Sequence, residues 1–199
     1  MNQEPPNSER PADGALPEDK EALSEDDPRI YVASLSDYNA GRLHGAWINA
    51  NQEPEELQAA ITAMLAKSKE PIAEEWAIHD YEGFEPLRLS EYESIENISR
   101  LAQGIAEHRQ AYAHWADYLG SEQWDESLDN FEDNFIGQWD STTEFAESFF
   151  EDLGIDVYSL VDEQWQPYVS FDIEAFARDL SYDFHIAEDD QGVYVFDNT

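Results

Sequence analysis

Residues 30–49 read IYVASLSDYNAGRLHGAWIN, and this stretch predicts how the ordered part of the chain begins. Its first five residues are aromatic, β-branched or small, which favours a strand. Residues 37–41 include an Asn and a Gly that tolerate positive φ, so we expect a turn there. Residues 43–49 then return as a second strand. The stretch therefore predicts a strand, a turn and a strand at the start of a small α+β unit.

The sequence on either side completes this unit. Pro54 suits the first position of a helix, and residues 54–67 carry apolar side chains at helical spacing: Leu57, Ile61, Met64 and Leu65. Residues 73–81 predict a further strand, so we assign an N-terminal α+β domain to residues 29–93. Residues 1–28 contain too few large apolar side chains to offset the entropy of ordering, and we predict that they form a disordered acidic tail.

The middle of the chain changes to a helical period. A stripe of apolar residues follows Ser94, with a break expected near Gly104 and a helix end at Gly120. Residues 121–138 then predict a helix that buries one face and exposes acids on the other. Its apolar face consists of Trp124, Leu128, Phe131 and Phe135. We assign a helical middle domain to residues 94–135.

The last third of the chain again mixes helices and strands. Ser141 and Glu144 match a capping box, so a helix is expected to start there and to end at Gly154. Asp172 can cap a second helix. Residues 184–187 and 193–196 predict a hairpin. We assign a C-terminal α+β domain to residues 136–199, so the whole fold is α+β with three small domains.

Charge is the strongest functional signal in the sequence. The chain has 46 Asp and Glu against 10 Lys and Arg, a formal net charge of −36, whereas small soluble domains carry a net charge of roughly 2 to 8 in magnitude. A hydrophobic content of 41% argues against a wholly disordered acidic chain. Double-stranded DNA carries one charge per about 1.7 Å, so 36 charges correspond to on the order of 60 Å of duplex.

Other features of the composition limit the function classes. The chain has no Cys, which excludes disulfides and thiolate metal sites and fits a reducing cytosol. No secretory signal or run of 18 apolar residues is present, so we expect a cytoplasmic protein that does not bind a membrane. The five His show no metal-ligand spacing, and no phosphate-binding loop or nucleophile elbow occurs. We therefore expect no metal, no cofactor and no catalytic residues.

What remains is an array of carboxylates on predicted helices. Acids three or four positions apart on a helix lie about 5 to 6 Å apart along its axis and can imitate a row of phosphates. A solvated helix face is the ordinary explanation for one such stripe. We nevertheless select nine acids as candidate partner-binding residues: Glu122, Asp125, Glu126, Asp129, Glu132, Asp133, Glu147, Glu151 and Asp152.

Several short motifs, taken together, resemble the ArdA family of antirestriction proteins. They run in the expected order from about residue 29 to residue 196: IYVA (30–33), YNAG (38–41), HGAW (44–47), EWAIHDYE (75–82), SEYESI (90–95), EFA (144–146) and AFARDL (175–180). Residues 1–28 fall outside the pattern, and residues 111–134 resemble it least.

The resemblance implies an elongated homodimer with three small domains in each chain. It also implies that surface acids imitate the phosphates of bent B-form DNA, occupy the DNA-binding groove of type I restriction and modification enzymes, and protect mobile DNA. Such a protein is not an enzyme and does not itself bind nucleic acid. The family offers no catalytic residues to transfer.

Two other function classes stay open on the sequence alone. A halophile-adapted acidic hydrolase would explain the low Lys content, and an acidic binding partner of basic proteins would explain the charge. The dimer interface is also open. Phe150 lies off the main apolar stripe of its predicted helix, which makes it a candidate for a two-fold contact, with ordinary packing between helices as the alternative.

Overall fold

The computed structural model describes residues 27–198 as a mixed α+β fold with two small antiparallel sheets. The acidic tail predicted for residues 1–28 lies outside the described residues, except for Asp27 and Pro28. Helices between the two sheets carry most of the middle of the chain.

The first sheet has the strand order β2-β1-β3 and both pairings are antiparallel. Its elements and the two helices that accompany them are β1 Arg29–Ser34, α1 Leu35–Asn39, β2 Gly45–Asn49, α2 Pro54–Leu65 and β3 Trp76–Glu82. The three predicted strands and the helix of this region are confirmed. Ile30 faces Ile48 and Tyr81 across the sheet, which places apolar side chains on one face.

The turn predicted at residues 37–41 is wrong in its first half. Residues Leu35–Asn39 form the short helix α1, because the Ser34 side chain accepts a hydrogen bond from the Asp37 backbone N–H at 3.3 Å and caps it. The chain reverses only after this helix, where Gly41 has a φ of 77°.

Two longer helices follow, α3 Ile95–His108 and α4 Gln110–Leu119. The predicted break near Gly104 is wrong, since the chain breaks instead at Arg109, with a φ of 57°. Gly104 serves close packing: a Cβ placed there would lie 2.3 Å from the Tyr112 ring. The predicted helix end at Gly120 is confirmed, and its φ of 72° is one that glycine adopts without strain.

The single helix predicted for residues 121–138 is wrong. The chain instead forms consecutive short turns and then a strand: 3₁₀ turns Ser121–Gln123 and Leu128–Asn130, α5 Trp124–Ser127, α6 Phe131–Asn134 and β4 Phe135–Trp139. Phe135 pairs with Phe196 at the start of β4. The need to complete the second sheet therefore overrides the helical period at the end of this region.

The second sheet has the order β4-β6-β5 and is also antiparallel. The remaining elements are α7 Thr142–Asp152, 3₁₀ turns Val157–Leu160 and Gln166–Tyr168, α8 Ile173–Leu180, β5 Phe184–Asp189 and β6 Gly192–Asp197. Both predicted caps are confirmed. The Ser141 hydroxyl accepts from the Glu144 N–H at 3.1 Å, and the Asp172 carboxylate accepts from the Ala175 N–H at 2.9 Å. The predicted hairpin is confirmed as β5 and β6.

Strand β6 joins two clusters of buried side chains. Tyr194 and Phe196 belong to a large cluster that extends through α4, α3 and α2 to the first sheet. Val193 and Val195, on the opposite face of β6, belong to a smaller cluster with α7 and α8. Side chains alternate between the faces of a strand, so β6 is covered on both sides. The boundaries at 93/94 and 135/136 remain predictions, and the large cluster crosses both of them.

Candidate partner-binding surface

Residues 121–134, which we call the acidic segment, carry six of the nine candidate acids. All six side chains are exposed: Glu122, Asp125, Glu126, Asp129, Glu132 and Asp133. The segment consists of short turns, so these acids do not form the single regular row that one helix would give. The prediction that they face solvent is confirmed, whereas their predicted spacing along one axis is wrong.

Apolar side chains on the inner side of the acidic segment fix it to the core. Trp124 is 2% exposed, and its indole N–H donates to the Ala116 carbonyl of α4 at 2.8 Å. Leu128 and Phe131 are buried in the same cluster. Phe131 also lies against the rings of Tyr112 and Phe135. The acids therefore project from a segment whose opposite side is a packed core.

Arg100 of α3 also contacts the acidic segment. One guanidinium nitrogen donates to the Trp124 carbonyl at 3.2 Å, and another donates to the Asp129 carboxylate at 2.9 Å. The role of Arg100 was not predicted from the sequence, because its partner Asp129 lies 29 positions away. Asp129 is thus the one acid of the six with an ion pair, although its side chain is 86% exposed.

The other three candidate acids lie on α7. Glu147, Glu151 and Asp152 are all exposed, while Phe145 and Ala146 of the same helix are buried in the smaller cluster. Glu147 and Glu151 are four positions apart and share a helix face. The nine acids therefore form two groups. Six lie on the acidic segment, which packs on α4 and α3, and three lie on α7, which packs on the smaller cluster.

Exposure is the rule for carboxylates in the described part of the chain, and Asp37 is the buried exception at 1% exposed. It accepts hydrogen bonds from the hydroxyls of Ser68 and of Ser34, the latter at 2.9 Å. Arg42 lies 3.5 Å from its other oxygen. The Ser68 hydrogen bond, aided by Ser34, Arg42 and His44, holds the pKa of Asp37 below its usual value although burial opposes ionisation. Asp37 thus has a structural role.

We expect Asp37 to stabilise the fold in a pH-dependent way. Its pKa is lower in the folded protein than in the unfolded chain, so the stabilisation is present above the unfolded value of about 3.9. It is lost as the pH falls through the folded-state pKa. The difference in free energy of unfolding between wild type and Asp37→Asn, from urea titrations at pH 7 down to pH 3, should therefore shrink on acidification.

Relief of repulsion among the other acids changes both proteins alike, so the comparison isolates Asp37. Ser68→Ala removes the largest cause of the lowered pKa and should give a smaller loss with the same pH dependence. A difference that stays constant from pH 7 to pH 3 would contradict this role.

The histidines have structural contacts. The His114 Nε2 atom lies 3.1 Å from the Asp189 carboxylate and links α4 to the last residue of β5. Burial disfavours the charged form of Asp189, but hydrogen bonds from His114 and from the Gln191 N–H keep its pKa below the usual value. Burial and the nearby Asp189 raise the pKa of Tyr194 to about 12.

The described residues contain no group of His, Asp and Glu arranged to hold a metal ion.

A groove of about 790 Å³ lies between β2 and α2. Its walls carry one carboxylate, Glu56, together with His44 and Lys67. A hydrolase of the glycosidase type requires two facing carboxyl groups. The groove therefore gives no support to the hydrolase alternative.

Phe150, the candidate dimer contact, packs within its own chain. Its ring stacks on Phe171 with the centroids 4.4 Å apart and meets Phe176 at 5.8 Å. It is half-buried. The stretch that follows α7 exposes several large apolar side chains, and this exposure was not predicted from the sequence: Leu153, Ile155, Tyr158, Leu160, Trp165, Tyr168 and Phe171.

Comparison with known proteins identifies the family of this chain. The family model described as Antirestriction protein (ArdA) matches residues 30–195, which is most of the sequence. A search of curated proteins finds no match. No helix among residues 27–198 has the length and apolar character needed to cross a membrane. The match covers both sheets and the helices between them, and the chain therefore belongs to the ArdA family of antirestriction proteins.

Proposed function

We propose that this chain acts as a DNA mimic, whose exposed carboxylates take the place of phosphates in the DNA-binding groove of type I restriction and modification enzymes. The observation that carries the proposal is the contrast between the two sides of the acidic segment. Six exposed acids stand on one side, and the buried Trp124, Leu128 and Phe131 fix the other side to the core.

The charge distribution favours this mechanism over simple solubility. A net charge of −36 destabilises a compact state, because the like charges repel one another. Nearly all the described acids lie at the surface, and the packing of the core must offset their repulsion. A DNA-binding enzyme presents Lys and Arg in its groove at positions suited to phosphates. A folded set of carboxylates that enters the groove gains many charge pairs and releases counterions without reading any base.

Preorganisation is the second support for the proposal. DNA that binds such an enzyme in a bent form has a deformation cost, whereas a folded protein that already has the required shape avoids that cost. The packing of the acidic segment on α4 and α3 and the packing of α7 on the smaller cluster hold the backbone that carries the nine acids. In this mechanism the protein catalyses no reaction and needs no cofactor.

A competition experiment tests the proposal directly. The protein is titrated into a type I enzyme bound to labelled DNA, first at low salt and then at increasing salt. We expect full displacement of DNA at low salt and a steep loss of inhibition as salt rises, because the contacts are screened. Undiminished DNA binding with excess protein at low salt would contradict the proposal.

We further propose that the functional form is a cytoplasmic homodimer joined through the C-terminal part of the chain. The half-buried Phe150 and the exposed apolar residues between 153 and 171 lie in this region. Large exposed apolar patches often mark sites of protein–protein interaction. Light scattering on the purified protein should give twice the chain mass of 22.8 kDa, and a mass equal to one chain would exclude the dimer under those conditions.

A further inference from the structure

We propose that Arg100 is the positioning residue of the acidic segment and that Asp129 is its anchor rather than a contact to the partner. A single guanidinium on α3 would then hold two consecutive turns of the segment in place. This inference rests on the proposed function, because it states how the candidate surface keeps its layout.

The geometry suits a guanidinium in particular. The Arg100 Nη1 atom donates to the Trp124 carbonyl at 3.2 Å, while Nη2 donates to the Asp129 Oδ1 atom at 2.9 Å. Trp124 begins α5, and Asp129 lies in the 3₁₀ turn Leu128–Asn130 that follows it. Arginine presents several donors in a rigid fork and can bind both acceptors at once, whereas the ammonium of a lysine is a point charge.

The acidic segment needs such a contact because its backbone is not self-supporting. Helices of one turn are unstable alone, since each fixes several dihedral angles for few hydrogen bonds. Six acids within fourteen residues also repel one another. Trp124, Leu128 and Phe131 hold the inner side of the segment. Among the described Lys and Arg side chains, Arg100 alone makes a hydrogen bond or ion pair to it.

An ordinary surface ion pair is the competing explanation, and exposed pairs contribute little to stability. Two observations distinguish Arg100 from that case. Its side chain is only 31% exposed, and it binds a backbone carbonyl as well as a carboxylate. The carbonyl contact acts on the fold of the segment rather than on its charge.

The test uses a substitution whose effect on inhibition differs between a positioning role for Arg100 and a dependence of inhibition on total charge alone. Arg100→Gln makes the protein one unit more negative, so if inhibition depended on total charge alone, it would be unchanged or stronger. If Arg100 positions the acids, inhibition should weaken, with the half-inhibitory concentration rising about tenfold for the loss of a charge-assisted contact. Arg88→Gln changes the charge equally at an exposed residue without an ion pair and should leave inhibition unchanged.

Hydrogen exchange measured well below the unfolding temperature gives a second readout that does not depend on inhibition. We expect amides of residues 124–131 to exchange faster in Arg100→Gln, while amides of β1 keep the wild-type rate. Arg100→Lys, which keeps the charge but not the fork, should fall between wild type and Arg100→Gln in both measurements.

The outcomes separate this inference from the proposed function. Wild-type inhibition by Arg100→Gln, or unchanged exchange in residues 124–131, would overturn the role of Arg100. If the wild-type protein fails to displace DNA, the proposed function fails. The exchange measurement still decides whether Arg100 holds the segment.

Discussion

Replacing six candidate acids at once should reduce displacement of DNA from a type I enzyme by roughly 100-fold. The six are chosen without the paired Asp129, and the variant is Glu122→Gln, Asp125→Asn, Glu126→Gln, Glu132→Gln, Asp133→Asn and Glu147→Gln. Each exposed charge contact contributes about 0.5 kcal/mol, so the six together contribute about 3 kcal/mol, which corresponds to that factor. Half-inhibitory concentrations at low salt give the measurement.

We expect the six-fold variant to stay folded, so unfolding should not contribute to its loss of inhibition. Removing six like charges from an overall −36 lowers self-repulsion and should leave the fold as stable as the wild type or more so. A thermal melt of the variant checks this point.

The matched control removes the same number of charges from exposed acids of the N-terminal part of the chain. It carries Gln or Asn at Glu55, Glu74, Glu75, Asp80, Glu85 and Glu91. We expect a smaller loss of inhibition than in the first variant. Equal losses would show that inhibition depends on total charge and would contradict the placement of the site on the nine candidate acids. A total loss after one single substitution would indicate a localised site instead.

The sequence predicted those features whose causes lie within a few residues. The caps at Ser141 and Asp172 and the helix end at Gly120 depend on a hydroxyl, a carboxylate and a glycine beside the backbone groups concerned. The strands of the first sheet and the hairpin of β5 and β6 were predicted for the same reason, since their composition and alternation are local properties. Strand β4 was not predicted, because its residues fell within the helix expected for residues 121–138.

The acidic segment shows the limit of predicting secondary structure from a local pattern of apolar residues. The spacing of Trp124, Leu128 and Phe131 correctly indicated which side faces the core, and all three are buried. The same pattern could not show whether the turns between them continue as one helix. That outcome depends on β6, about sixty residues further along the chain, because one hydrogen-bonding edge of β6 pairs with Phe135 and the residues that follow it.

The contacts that organise the candidate surface join different elements of the chain. Arg100 and Asp129 form an ion pair across 29 positions, and the Trp124 indole reaches the Ala116 carbonyl on a different helix. No periodicity encodes such contacts. The sequence therefore identified the acids that face solvent but not the groups that fix them in place.

Trp124→Ala should be among the most destabilising single substitutions in the chain and should lower inhibition even where the protein stays folded. Trp124 is 2% exposed, and truncation of a buried Trp to Ala costs about 3 to 5 kcal/mol. The Ala116 carbonyl would also lose its side-chain donor. Urea titration with a spectroscopic probe measures the stability. The competition assay, run well below the unfolding midpoint, measures inhibition.

Trp124→Phe separates the hydrogen bond of Trp124 from most of its packing, because it keeps a six-membered aromatic ring in the core and removes the indole N–H with the smaller ring that carries it. We expect a loss of about 1 to 2 kcal/mol, typical of a lost buried hydrogen bond, with inhibition close to wild type. The acids are untouched in both variants, so the comparison tests whether packing beneath the acidic segment is required for its activity. If folded Trp124→Ala inhibited as strongly as wild type, a fixed layout of carboxylates would not be needed, because the charge alone would then be sufficient for recognition.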